Sequence, residues 1–279
     1  MKFQNLSSGE EANKWVKQSI RECQATYFLP TLDKPDQKIP VAVDIGANVG
    51  GFCIHAHNTF DKIYAFEPLR ENYFILEQTL KQLNINNVEI FNNAVYSEGD
   101  KELSLKAHKN KLSGDVTCID IQNNDFIDLK QRCETISLDN IFNYLNIDRI
   151  DYLKIDCEGA EFDILENFSN FDKIAIMAIE LHDYCGARRK VDLLQTLQER
   201  YHVHFYTPED ALRGETKKMI QSFLDSRDRK HTFNELKVVE NCFCINKEFY
   251  KITMDEKKKK VYQRPWTTSI KAPHTLSIY

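Results

Sequence analysis

The sequence predicts an α/β protein: a mostly parallel seven-stranded sheet with helices on both faces, a helix before it and a C-terminal extension after it. Three observations predict this. Largely apolar runs recur at Val41–Ile45, Ile63–Phe66, Val88–Phe91 and Tyr152–Ile155, as in strands buried on both faces of a parallel sheet. Helix-like stretches separate the first three runs. The first run also breaks through Asp44 into Gly46-Ala-Asn-Val-Gly-Gly51, a glycine-rich passage from strand to helix.

Taken in order, Ser8-Gly-Glu-Glu11 has a capping-box pattern, and Ala12, Trp15, Val16, Ile20 and Cys23 follow at helical spacing. This is an amphipathic helix that either packs on the core or covers a ligand. Pro30, Pro35 and Pro40 mark a connecting loop. After the glycine turn, residues 51–60 have helical composition. Glu71 to Leu83 is a second helix, with Phe74, Leu76, Leu80 and Leu83 on one side. Glu102 to Ala107 alternates as a half-exposed strand outside the nucleotide-binding half, and residues 107–134 are polar and irregular, either a mobile loop over the site or a surface insertion. A short helix follows Thr135–Asp139. Ile174 to His182 and Tyr201 to Tyr206 are further strands, the helix Arg188–Arg200 lies between them, and Asn241–Ile245 is the last strand of the sheet. The spans expected are an N-terminal helical segment and linker over 1–39, a main domain over 40–250 and an extension over 251–279. In that extension the lysines of Asp255–Lys260 read as exposed helical or disordered chain. Trp266 either wraps onto the body or docks on another subunit, as in a homo-oligomer.

Composition narrows the function. The 279 residues carry a net charge of -5, which argues against a general nucleic-acid or anionic-membrane surface. No apolar run reaches the roughly 18 residues that span a bilayer, and Met-Lys-Phe-Gln-Asn lacks the apolar block of a secretory signal. The expected location is the cytoplasm, where eight scattered cysteines stay reduced.

The glycine turn differs from the dinucleotide fingerprint at Asn48, where a middle glycine would let the backbone approach a pyrophosphate. Asp44 before the turn suits a ligand with an ammonium and no phosphates. S-adenosylmethionine is such a ligand: Asp44 would take the amine, Gly46 and Gly50 would let the backbone approach it, and Glu67 after the second strand would accept both ribose hydroxyls. A second chemical cluster lies further on. Asp156 stands at the carboxyl end of a buried strand, where open α/β sheets place ligands, and Glu158 and Glu161 follow at the next helix start. Glu161 is balanced between a dipole cap and a site residue. Period-two alternation puts Glu180 and His182 on one side of the neighbouring strand, beside Asp156 and Glu158. The basic Arg188-Arg-Lys190 would meet either an acceptor anion or solvent.

Together Val43–Gly50, Phe66-Glu-Pro68, Asn93-Ala-Val95, Ser137-Leu-Asp139 and Leu153–Glu161 resemble the FkbM family of S-adenosylmethionine-dependent methyltransferases, over roughly residues 40–206. The resemblance implies a class I methyltransferase sheet, O-methylation of hydroxyls on sugars, polyketides or related metabolites, and a small-molecule or glycan acceptor. It places the cofactor on Asp44, Gly46, Asn48 and Glu67, with Asn93 and Ala94 bordering the adenine. Asn167 departs from the glycine that members often carry there, which puts only a local turn in doubt.

Two mechanisms fit the second cluster. In one, His182 or a carboxylate takes the acceptor proton while Asp156, beside both cofactor and acceptor, helps position them. In the other, Asp156, Glu158, Glu180 and His182 hold a divalent ion, a reading less favoured because no compact metal motif is present. A nicotinamide-dependent oxidoreductase and a non-catalytic cofactor-binding module are the competing functions.

Overall fold

The computed structural model describes residues 9–32, 37–109, 116–119, 126–182, 186–206, 232–237, 239–248, 251–254, 260–263 and 275–277. Helix α1 (Gly9–Thr26) leads through the two-residue strand β1 (Thr31–Leu32) to β2 (Ile39–Ile45), α2 (Gly51–Ala56), β3 (Phe60–Phe66), α3 (Arg70–Gln82) and β4 (Val88–Phe91). Four strands follow: β5 (Ala94–Tyr96), β6 (Glu102–His108), β7 (Val116–Thr117) and β8 (Phe126–Ser137). The chain then runs α4 (Leu138–Tyr144), β9 (Ile150–Ile155), α5 (Glu161–Glu166), β10 (Ile174–Glu180), α6 (Ala187–Arg200), β11 (Tyr201–Tyr206), α7 (Phe233–Leu236) and β12 (Asn241–Asn246). Three short strands close it: β13 (Lys251–Met254), β14 (Lys260–Gln263) and β15 (Thr275–Ser277).

The main sheet has seven strands in the order β11-β12-β10-β9-β2-β3-β4. β2, β3, β4, β9 and β10 pair in parallel, and β12 runs antiparallel to both its neighbours. From β2 the chain winds outward through β3 and β4, then returns to β9 on the other side. The strand order therefore reverses between β2 and β9, the place where open α/β sheets hold their ligands. The expected parallel apolar strands form because β9 and β10 are buried almost end to end, which leaves little room for polar alternation.

Each face of the sheet is covered. Leu138 and Ile141 of α4, Phe162 and Leu165 of α5, and Val191 and Leu194 of α6 pack on one side. Phe52 of α2, Leu76 and Leu80 of α3, and Tyr27 just past α1 pack on the other. Burial on this scale is worth about 1.5–3 kcal/mol for each large side chain. Helix α1 lies directly against α2, where a Cβ on Gly51 would stand 2.2 Å from Ser19 Oγ. That glycine lets the two helices touch and so delivers Tyr27 to the carboxyl end of the sheet.

Several sequence expectations change. On α3 the buried positions are Asn72, Ile75, Leu76 and Leu80, while Phe74 and Leu83 are exposed. Phe74 is two residues from Leu76, and that spacing points to opposite sides of a helix. The stretch expected to be irregular contains most of β8, which pairs with β6 from Glu102↔Glu134 to His108↔Phe126 in a second sheet ordered β5-β8-β6-β7. Its solvent face is so charged that its alternation reads as loop. Residues 110–115 and 120–125 lie outside the described residues, as do 207–231 and Trp266. Lys260, expected in an exposed or disordered run, begins β14, and β15 pairs with β1.

Candidate functional site

Where β2 ends, Gly46 N and Ala47 N both donate to Phe66 O at 3.0 Å, which bends the chain across the end of β3. Gly46 has φ +76°, and a Cβ there would stand 1.8 Å from Asp156 O. No side chain fits that gap, so β2 and β9 meet backbone to backbone. Asn48 follows at φ 51°, a left-handed conformation that asparagine tolerates, and Asn72 Nδ2 donates to its Oδ1 at 3.1 Å. Gly50 starts α2 with φ 91° and packs against Leu76.

These turns frame a cavity of about 600 Å³, its mouth included. Gly46, Asn48, Glu67, Ala94, Asp156 and Glu158 all stand on its wall. Glu67 is nearly buried. Its Oε2 accepts from Asn48 N at 2.8 Å and its Oε1 from Leu69 N at 2.9 Å. Burial pushes its pKa up to about 7, the two amides offsetting only part of that cost. Each oxygen keeps a lone pair for a ligand hydroxyl. Asn93, expected beside the adenine, lines instead a second hollow with Glu102, Glu134 and Tyr144, while Ala94 and Val95 stand on the cavity wall.

Asp44 does not reach the cavity. It is fully buried, with Lys154 Nζ 3.1 Å from Oδ1 and Cys53 Sγ donating to Oδ2 at 3.3 Å. Lys154 also donates to Gly46 O at 2.6 Å and lies 3.6 Å from Asp156 Oδ2. One buried ammonium therefore ties the acid of β2, the glycine turn and the acid of β9 together. Burial alone would lower its pKa, but Asp44 and Asp156 more than reverse this and hold it charged. Lys154 was invisible as a site residue in the sequence, although a lysine inside a strand buried along its whole length is itself a signal of a buried partner.

Asp156 is completed from above. Tyr27 donates to its Oδ2 at 2.9 Å. Burial would raise this carboxyl, but Lys154, His182 and the Tyr27 hydroxyl bring it below the usual carboxylate range. His182 stands just past β10, with Nδ1 2.9 Å from Glu161 Oε1 and Nε2 3.4 Å from Glu158 Oε2 and 4.0 Å from Asp156 Oδ1. Burial works against a charged ring, yet Glu161, Glu158 and Asp156 together raise its pKa well above the ordinary value. Glu161 is fully buried and also accepts from Cys157 N at 3.0 Å, so its work is to hold His182 and the Asp156–Glu158 turn, beyond any dipole role. Glu180 lies one position past the pairing Ile179↔Ile155, next to Asp156. Burial and the Asp156 charge push it up to about 7, with His182 and Lys154 acting in the opposite direction.

The structure thus brings Gly46, Asn48, Glu67, Ala94, Asp156 and Glu158 to one cavity and sets His182 and Glu180 behind Asp156. Tyr27, Asn72, Lys154 and Glu161 join them as supports. In the basic run after the cluster, Arg189 pairs with Asp163 at 2.6 Å and Glu166 at 2.7 Å, and the exposed Arg188 with Asp192. Among the described residues no helix is long and apolar enough to cross a membrane.

The family profile described as Methyltransferase FkbM domain matches residues 44–228. None of the curated proteins matches the chain. Among solved structures it is similar to the methyltransferase FkbM from Methylobacillus flagellatus KT, with 15% identity, a TM-score of 0.39, and coverage of 85% of this chain and 58% of that one. It therefore spans less than two thirds of the Methylobacillus protein. It is also similar to an rRNA methylase from Streptococcus thermophilus, at 13% identity and TM-score 0.39, covering 82% and 91% of the two chains. The M. capricolum TrmK complex with S-adenosyl-homocysteine gives 13% identity and TM-score 0.36, covering 87% and 71%.

Proposed function

The chain belongs to the FkbM methyltransferase family, and on that premise we propose that it methylates a hydroxyl of a sugar, glycan or other small metabolite. Its fold is the class I methyltransferase sheet and its methyl donor is S-adenosylmethionine. The residues fit that donor. Glu67 offers two oriented acceptors, and Asn48, Ala94 and Asp156 stand with it on the cavity wall. When bound, the donor supplies an electrophilic methyl group on a sulfonium.

Glu67 would hold the ribose hydroxyls, with Ala94, Val95 and Cys118 as the apolar wall beside the base. Asn48, braced by Asn72, and Asp156 would take the polar end. Asp44 acts at one remove, through Lys154 and the Gly46 carbonyl. The observation that carries the O-methylation reading is that Asp156 and Glu158 stand on the cavity wall with His182 and Glu180 next to Asp156. With its ring held charged, His182 is set to donate and orient. Glu180, near pKa 7, is the better proton acceptor for a hydroxyl. As the acceptor oxygen bonds the methyl carbon, the carbon–sulfur bond breaks with its electron pair going to sulfur, and the hydroxyl proton passes to Glu180. The net charge of -5 favours a small acceptor over a nucleic acid, and the free cysteines suit the cytoplasm.

Calorimetry tests the premise: S-adenosylhomocysteine should bind and NAD should not, and the reverse would return the nicotinamide reading. Transfer of labelled methyl to a panel of saccharides, polyols and RNA tests the acceptor. Label only on RNA would overturn the small-acceptor proposal.

A further inference from the structure

We propose that Asp156, Glu158 and His182 bind one divalent cation of the Mn²⁺ kind at the acceptor end of the cavity. One atom from each, two carboxylate oxygens and an imidazole nitrogen, lies within 4.8 Å of the other two. Bonds near ~2.2 Å set neighbouring ligand atoms ~3 Å apart, so the observed 3.4 and 4.0 Å separations need only a small contraction.

An independent observation orients the set. Glu161, fully buried, engages His182 Nδ1 through Oε1, which aims Nε2 at the two carboxylates. A carboxylate on the far nitrogen is the usual support of a metal-binding histidine. Among the described residues the second oxygen of Glu161, Oε2, has no hydrogen-bond partner, and Oε1 meets the ring and one backbone amide. A ligating imidazole nitrogen must be deprotonated, so an ion at Nε2 would take the place of the proton that His182 otherwise shares with Glu158 and Asp156.

The ligand chemistry selects the ion. Two carboxylates and one imidazole suit Mn²⁺, whereas thiol-rich sites suit Zn²⁺ and all-oxygen sites suit Ca²⁺. The side chains of Asp156, Glu158 and His182 keep 29%, 15% and 16% of their surface exposed, and Asp156 and Glu158 stand on the cavity wall. An ion there would bind the acceptor oxygen and lower its pKa, with Glu180 alongside to receive the proton. That role rests on the methyltransferase reading; the binding itself does not.

The test is titration of the full chain, freed of metal by a chelator, with Mn²⁺, followed by calorimetry and by electron paramagnetic resonance. One ion should bind per chain, with nitrogen modulation from an imidazole in the spin-echo signal. Glu158→Gln and His182→Gln should each weaken it by about tenfold or more, and the His182 variant, whose side chain is off the cavity wall, should still bind S-adenosylhomocysteine. Homocysteine-product binding without any Mn²⁺ binding would overturn the metal site and leave the methyltransferase reading standing. Mn²⁺ bound without the nitrogen signal, or bound equally by both variants, would also overturn it. The nitrogen signal is read on the unaltered protein, so it decides even where a variant fails to fold.

Discussion

The half of the cavity built by β2 and β3 and the half built by β9 and β10 solve different physical problems. On the first side backbone geometry sets the shape: Gly46 lies against Asp156 O, and two main-chain amides hold the carboxylate of Glu67. On the second side charge sets it, with Asp156, Glu158 and Glu161 disposed around His182 and Lys154. The first should therefore fail by collision, and the second by leaving an ion without its counter-ion.

The largest effect is expected at the seam between the halves. Lys154→Met strands Asp44 and Asp156 and should cost about 3–5 kcal/mol, measured by denaturant unfolding. Adding Asp44→Leu should recover part of that loss. A Lys154→Met protein as stable as the parent would mean that charge does not join the halves. Gly46→Ala tests the backbone side. A φ of +76° and the 1.8 Å approach to Asp156 O predict a loss of about 2–4 kcal/mol, with S-adenosylhomocysteine binding abolished in calorimetry. Should the alanine variant bind normally, the close approach is not what shapes the pocket.

Glu67→Gln is smaller. Losing an ionic acceptor should weaken product binding by about 1.5–3 kcal/mol at pH 8. The pH dependence follows from the same residue. Its folded pKa of about 7 lies above the ordinary carboxylate value, so the folded state holds this proton longer than the unfolded state. Glu67 therefore favours the fold at low pH, and that contribution is lost as pH rises through 7. Ligand hydroxyls need the ionised form, so affinity should move the opposite way, falling as pH drops from 8 to 6, with a proton released on binding near pH 7. A flat calorimetric profile, unchanged by Glu67→Gln, would remove Glu67 from the ribose site. Tyr27→Phe is the mildest change. It removes one hydrogen bond to Asp156 and should cost about 1 kcal/mol in thermal unfolding, with the fold retained.

The two halves also differed in how far they could be read from sequence. Strand ends, the glycine turn and the acids that follow it are local patterns, so Asp44, Glu67, Asp156 and Glu158 stood out from their neighbours alone. The burial of Asp44 did not, because its partner Lys154 lies in another strand and register alone sets them side by side. Tyr27 is 129 residues from Asp156, and only the contact of α1 with α2 at Gly51 brings it there. Strand β8 was missed because its charged outer face hides an alternation that matters only once β6 is beside it.

By itself the sequence determined the parallel sheet, the glycine-rich turn and the acids at the strand ends, because each is a run of adjacent residues with one period or one conformational demand. Tertiary structure alone decided which acids face the cavity, which are neutralised beneath it, and that His182 is held charged by Glu161, Glu158 and Asp156. Charge and burial act through space, and the distances that set them exist only after the strands have paired.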